Sequence, residues 1–165
     1  MGNNLRKKKT LNDKELSTRL DKLVQTVQRA EGCFIRDGQW VAVCRTCGRV
    51  APITGKDSIQ GGHYIPRGCR CTRWLAANVH PQCNRCNGFL NGNYLMYARW
   101  MQKHLPEENE RLLDLFEKHK RGDAPKLSVI EKRALYNSWL LKGRKLEEMT
   151  GLQLFPKSWD YVKMG

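Results

Sequence analysis

Two Cys-x-x-Cys pairs, Cys44-Arg-Thr-Cys47 and Cys83-Asn-Arg-Cys86, constrain this chain more than any other feature. Zinc takes four ligands in a tetrahedron, and thiolate suits it. One pair can place two sulfurs on an ion, and two pairs complete the site. Four protein ligands leave no coordination position open, so the predicted zinc is structural. Gly48 follows the first pair and gives it the shape of a zinc knuckle, in which glycine lets the turn bring amide groups towards sulfur. The chain has seven cysteines. No apolar segment follows Arg6-Lys7-Lys8-Lys9 to make a secretory signal. Metal-bound thiolates in a reducing compartment fit this usage better than a disulfide framework. A cytoplasmic protein without a membrane partner is expected, since no apolar run reaches the length of a span.

Around the cysteines the chain reads as α+β. Residues 1–10 are basic and polar and are expected to be an arm. Residues 11–32 read as an N-terminal helix: Asn12-Asp-Lys-Glu15 forms a capping box, Leu11 and Leu16 a hydrophobic staple, and Gly32 a stop. Residues 33–104 hold the core. A hairpin turns at Asp37-Gly38 and feeds the first cysteine pair. A short strand over 58–66 carries His63, and the second pair opens a helix containing Cys86 and Asn87. In the next helix Leu95, Ala98 and Met101 are expected to share a face. Residues 105–165 read as helical and packed on or beside the core. Pro106 starts one helix, and Ser128-Val-Ile-Glu131 caps another that Gly143 should end, with a short helix on to Thr150.

The balance of 30 Lys+Arg against 16 Asp+Glu, a net charge of +14, favours a polyanionic partner, nucleic acid first. Arg67, Arg70 and Arg73 cluster near His63 and suit phosphate contacts that need no base readout.

His63 and Asn87 would face each other across a strand and a helix, and their spacing leaves two readings open. They can simply pack and hydrogen-bond. They can also hydrolyse a phosphodiester, with His63 taking a proton from water and the Asn87 carbonyl oxygen helping to hold a divalent cation. His80, just before Pro81, either braces the turn into the helix or binds metal or phosphate. Asn91 and Asn93 read as caps or as DNA backbone contacts. Cys69 and Cys71 are spare loop cysteines or a second metal half-site, and Cys33 is a small buried apolar residue.

The shared run is Cys44-x-x-Cys47-Gly48, Gly62-His63-Tyr64, Arg73-Trp74, Asn78-x-His80-x-Gln82-Cys83-x-x-Cys86-Asn87, Gly92-Asn93 and Tyr97. With these motifs, about a third of the chain, it resembles HNH-type endonucleases of the ββα-metal fold with a four-cysteine, treble-clef zinc site. It is most similar to the NinG/Rap recombination nucleases of lambda-like phages, and Cys86-Asn87 is also similar to phage endonuclease VII. The resemblance implies a DNA endonuclease with structural Zn²⁺ and catalytic Mg²⁺ or Mn²⁺, in the cytoplasm of a host bacterium. It implies His63 as general base, Asn87 as ligand of the catalytic ion, and Asn78 as the residue that braces the loop and orients His63. The implied substrates are branched or single-stranded recombination intermediates, cut to leave 5′-phosphate and 3′-hydroxyl ends. Cutting two strands of a junction favours a homodimer, and recombination proteins are implied partners. Many HNH enzymes carry Asp or His just before the base as a second metal ligand; here Gly62 stands there, with Gln60 or His80 as substitutes. Two non-catalytic alternatives are a zinc-dependent DNA-binding module and a recombination-accessory protein whose helical tail docks a partner.

Overall fold

A computed structural model describes residues 11–164, so the basic arm expected over residues 1–10 lies outside the described residues. Helix α1 (Asp13–Arg29) begins where the side chains predict. Asn12 accepts from the Glu15 amide, and the Glu15 carboxylate accepts from the Asn12 amide. Leu11 and Leu16 are both buried in one cluster, as a staple requires. Gly32 turns the chain at φ +64°, just beyond the helix.

Strands β1 (Phe34–Arg36) and β2 (Gln39–Val43) form the expected hairpin. Asp37 and Gly38 both take positive φ, the geometry of a tight turn matched to strand twist. Strand β3 (Val50–Pro52), unforeseen in the sequence, pairs with β2, so the first cysteine pair sits at the tip of this second hairpin. A separate antiparallel pair joins β4 (Gln60–His63) to β5 (Val79–Gln82), with Gly62 opposite His80 and His63 opposite Val79. The Arg45 amide donates to the Pro81 carbonyl and ties the tip of the β2–β3 hairpin to this pair.

A three-residue 3₁₀ turn, Ala76–Asn78, precedes β5, and a five-residue π-helical turn, Arg85–Phe89, follows it. Then come helices α2 (Tyr94–His104), α3 (Pro106–Arg121) and α4 (Val129–Thr150). Pro106 opens α3, and the Ser128–Glu131 capping box opens α4. Three expectations need correction. The helical region expected over 105–165 stops with α4, and residues 151–164 form no helix. In α2 the buried stripe is Tyr97 and Met101, whereas Leu95 is exposed. Two residues are about 200° round a helix, so once Tyr97 faces inward Leu95 faces out. Gly143 does not end its helix. A Cβ there would stand 2.5 Å from the Phe155 ring, so Gly143 admits the C-terminal segment against α4. The cap is Gly151, at φ +70°.

The main core lies between α1 and α4. Leu16, Leu20, Leu23 and Val24 meet Tyr136, Trp139 and Leu140, with Trp74 and Val79 reaching in from the site region. No helix among the described residues is long and apolar enough to cross a membrane.

Gly61 brings β4 against α1. A Cβ at Gly61 would lie 2.5 Å from the Gln25 carbonyl oxygen, and backbone cannot swing aside as a side chain can. Gly61→Ala is therefore expected to push α1 off the sheet and cost about 1–3 kcal/mol, the usual scale of overpacking. In thermal melts that is a fall of roughly 2–4 °C per kcal/mol for a chain of this size. An unchanged melting temperature would show that α1 does not bear on β4 in this way.

Candidate functional site

The sulfurs of Cys44, Cys47, Cys83 and Cys86 all lie within 4.8 Å of one another. The Cys47 and Cys83 sulfurs are 3.7 Å apart. A zinc–sulfur bond of about 2.3 Å puts tetrahedral sulfurs about 3.8 Å apart, so the cluster fits one Zn²⁺. Burial alone would raise the Cys44 thiol. The backbone amides of Cys83, Cys47 and Thr46 outweigh it and hold Cys44 below the ordinary thiol range. Burial pushes Cys86 up to about 12, with the neighbouring sulfurs adding to the effect. A divalent cation supplies the positive charge that lets all four ionise together.

Polar side chains lock this cluster to its surroundings. Gln82 is fully buried, and its Nε2 donates to the Thr46 hydroxyl in the knuckle and to the Gly92 carbonyl beyond the π turn. Asn93 Nδ2 donates to the Cys86 sulfur. Asn91 and Asn93 both take left-handed φ in the turn that starts α2, and Asn91 also lines the cleft that holds His63.

Next to the cluster is an open cleft of about 210 Å³. His63, Asn87, Arg67 and Tyr94 line it, together with Gln25. His63 ends β4, and Asn87 sits in the π turn directly after the last cysteine of the cluster. The His63 Nε2 lies 2.9 Å from the Arg73 carbonyl oxygen. A carbonyl only accepts, so Nε2 carries the proton and Nδ1 keeps its lone pair. Burial pushes the His63 pKa down to about 4; the Arg73 carbonyl opposes this and the Arg67 charge reinforces it. The ring is therefore neutral at pH 7. Asn87 donates through Nδ2 to the Gln60 Oε1, a bond that leaves its own carbonyl oxygen free to accept a cation.

Asn78 is buried and holds the loop between β4 and β5. Its Oδ1 accepts from the Ile65 amide, and its Nδ2 donates to the Ile65 and Thr72 carbonyls. It does not touch His63. It fixes Thr72, whose neighbour Arg73 presents the carbonyl that orients the His63 ring.

Other candidate residues lie elsewhere. His80 is buried outside the cleft, with Nε2 2.9 Å from the Ala77 carbonyl and Nδ1 3.3 Å from the Glu31 carboxylate. It packs on Trp100, with ring centroids 4.9 Å apart. Neither nitrogen is free for a metal, so His80 braces the fold. Gln60 does not line the cleft; its Oε1 accepts from Asn87 Nδ2, so Gln60 orients that residue. Arg73 is tied up as well: its guanidinium grips the Asp21 carboxylate at two points, and Trp74 Nε1 donates to the same carboxylate. Arg67 and Arg70 remain exposed and free to meet phosphate, whereas Arg73 does not. Cys69 and Cys71 have sulfurs 3.3 Å apart, yet among the described residues only Cys44, Cys47, Cys83 and Cys86 form a cluster of three or more that could hold a metal.

The family model for the bacteriophage lambda NinG protein matches residues 3–147 of the 165. The chain belongs to the NinG family. That match takes in the four-cysteine cluster, the whole cleft and most of α4, so the features above are parts of a NinG-family unit. No curated protein and no solved structure matches the chain significantly.

In this NinG-family chain Gly62 has no room for a side chain. A Cβ there would fall 1.9 Å from Gln82 Oε1, so Gln82 fills the space that a residue before His63 would need. Asp21 and Gln25 were not foreseen at the site. They lie on the apolar-spaced helix α1, and only the folding of α1 onto β4 brings them to Arg73 and the cleft.

Proposed function

We propose that this NinG-family protein is an HNH endonuclease that hydrolyses DNA phosphodiester bonds. The observation that carries the proposal is the shared cleft: a neutral, oriented histidine and an asparagine carbonyl beside Arg67, fixed by a four-cysteine cluster. The antiparallel β4–β5 pair running into a helical turn supports the ββα-metal reading. The cysteine cluster at a hairpin tip and that turn supports the treble-clef reading.

His63 Nδ1 takes the proton of an attacking water while Nε2 stays bonded to Arg73. The oxygen of that water bonds to phosphorus, the bond to the leaving deoxyribose 3′ oxygen breaks, and that oxygen takes a proton from solvent. Arg67 neutralises phosphate charge at the cleft. Asn87 would hold Mg²⁺ or Mn²⁺, which when bound stabilises charge on the phosphate and leaving oxygen. Among the described residues no carboxylate lines the cleft. Mg²⁺ is usually held through one or two carboxylates together with water and phosphate, so Asn87 alone would hold it weakly until substrate phosphate is present.

Binding is the first test. With 30 Lys+Arg against 16 Asp+Glu, DNA affinity should fall steeply with salt, because phosphate contacts release counterions. Fluorescence anisotropy from roughly 50 to 200 mM salt should show a loss on the order of 10³-fold if about six phosphates are contacted. Affinity independent of ionic strength would reject a phosphate-dominated surface.

A further inference from the structure

The π turn that carries Asn87 has a second side. There Phe89 is 85% exposed, more than any other large apolar side chain among the described residues. It lines a second cleft, of about 320 Å³, with Arg49, Arg85, Asn84, Asp57 and Cys83. Arg49 and Arg85 are both exposed. The acidic member of the lining, Asp57, accepts from the Asn84 amide at 3.5 Å. An aromatic ring left open to water, flanked by two guanidinium groups, matches a nucleotide in both parts: a π face for the base and cations for the phosphate.

We propose that Phe89 is a stacking platform for an unpaired nucleobase, with Arg49 and Arg85 holding the adjoining phosphate. The proposal rests on the DNA-cleaving reading and deepens it by naming how substrate is selected. Asn87 and Phe89 stand two residues apart on one turn, so a strand leaving the His63 cleft crosses the turn into this one. A base inside a duplex has both faces covered by its neighbours. Only an unpaired or splayed nucleotide can offer a face to Phe89. Charge argues against a second copy of the chain as occupant, since two copies would bring Arg49 and Arg85 against their own equivalents. A polyanion is complementary instead.

Phe89 is exposed and supports no core, so its variants should fold. Binding is measured by anisotropy in Ca²⁺, with a fluorescent oligo-dT and a blunt duplex as probes. Phe89→Ala should weaken oligo-dT binding roughly tenfold, within the range for loss of one base stack. Duplex binding should stay as in wild type, and Phe89→Trp should restore the oligo-dT affinity. Arg49→Ala with Arg85→Ala should flatten the salt slope for oligo-dT by about 0.7, the share of one phosphate. Equal effects of Phe89→Ala on both DNAs, or none on either, would overturn the proposal. So would a wild-type dimer that Phe89→Ala dissociates in light scattering. Wild-type protein that binds neither DNA would instead defeat the nuclease reading, and this proposal with it.

Discussion

Replacing Cys83 by serine is expected to unfold the core, not merely slow the protein. The apolar cluster around the cysteines is small: Ala30, Ala42, Ala51, Ile53 and Ile59, with Cys44, Cys83 and Cys86 themselves part of it. Structural zinc binding is worth on the order of 10–16 kcal/mol near neutral pH, whereas a whole domain is stable by only about 5–15 kcal/mol. A lost ligand therefore removes a share of stability that three alanines and two isoleucines cannot replace. The β2–β3 hairpin tip and the π turn would separate, and Asn87 with them. Metal analysis should give one zinc per wild-type chain, and Cys83→Ser should lose both zinc and the cooperative thermal transition. A variant that stays fully folded without zinc would refute the structural role of the cluster.

Replacing His63 by alanine is expected to do the opposite. His63 is not a zinc ligand and belongs to none of the apolar clusters, so zinc content, folding and DNA affinity should stay near wild type. Cleavage should fall roughly 10²–10⁴-fold, the scale of a lost general base. The pH profile adds a sharper sign. A histidine whose pKa is lowered to about 4 is deprotonated, and so able to accept a proton, throughout pH 5–8. The wild-type rate should show no acid limb near the ordinary histidine value of about 6.5. A limb centred there, absent from His63→Ala, would mean the ring is not desolvated as described.

The parts of the fold legible in the sequence are those fixed by local chemistry. Asn12 with Glu15, and Ser128 with Glu131, satisfy backbone groups three residues away, so each capping box announces its helix without tertiary help. Asp37-Gly38 does the same for its hairpin, and the cysteine spacing for the four-cysteine cluster. What stayed hidden depends on distant partners. Strand β5 is buried at all four positions and contains Pro81, so it shows no alternation. Strand β3 has only three residues. Arg73 looked like a free cation because its partner, Asp21, is 52 residues away. Gly143 looked like a stop because the ring that needs its space, Phe155, lies beyond the helix end. At the site, the pairing of His63 with Asn87 was readable from the motif. The Arg73 carbonyl that sets the imidazole tautomer was not, because a backbone group leaves no mark in sequence.

Whether His63 and Asn87 form a nuclease centre is decided by one cleavage series. Zinc-loaded wild type, His63→Ala and Asn87→Ala are compared on duplex, single-stranded, flap and four-way-junction DNA across a titration of Mg²⁺ or Mn²⁺. The expected result is metal-dependent cutting by wild type. Asn87→Ala should be slowed but partly recover at high metal, because only a cation ligand is weakened. His63→Ala should stay slow at every metal concentration. Cutting at the wild-type rate by both variants, or no cutting of any DNA by wild type with either metal, would contradict the account.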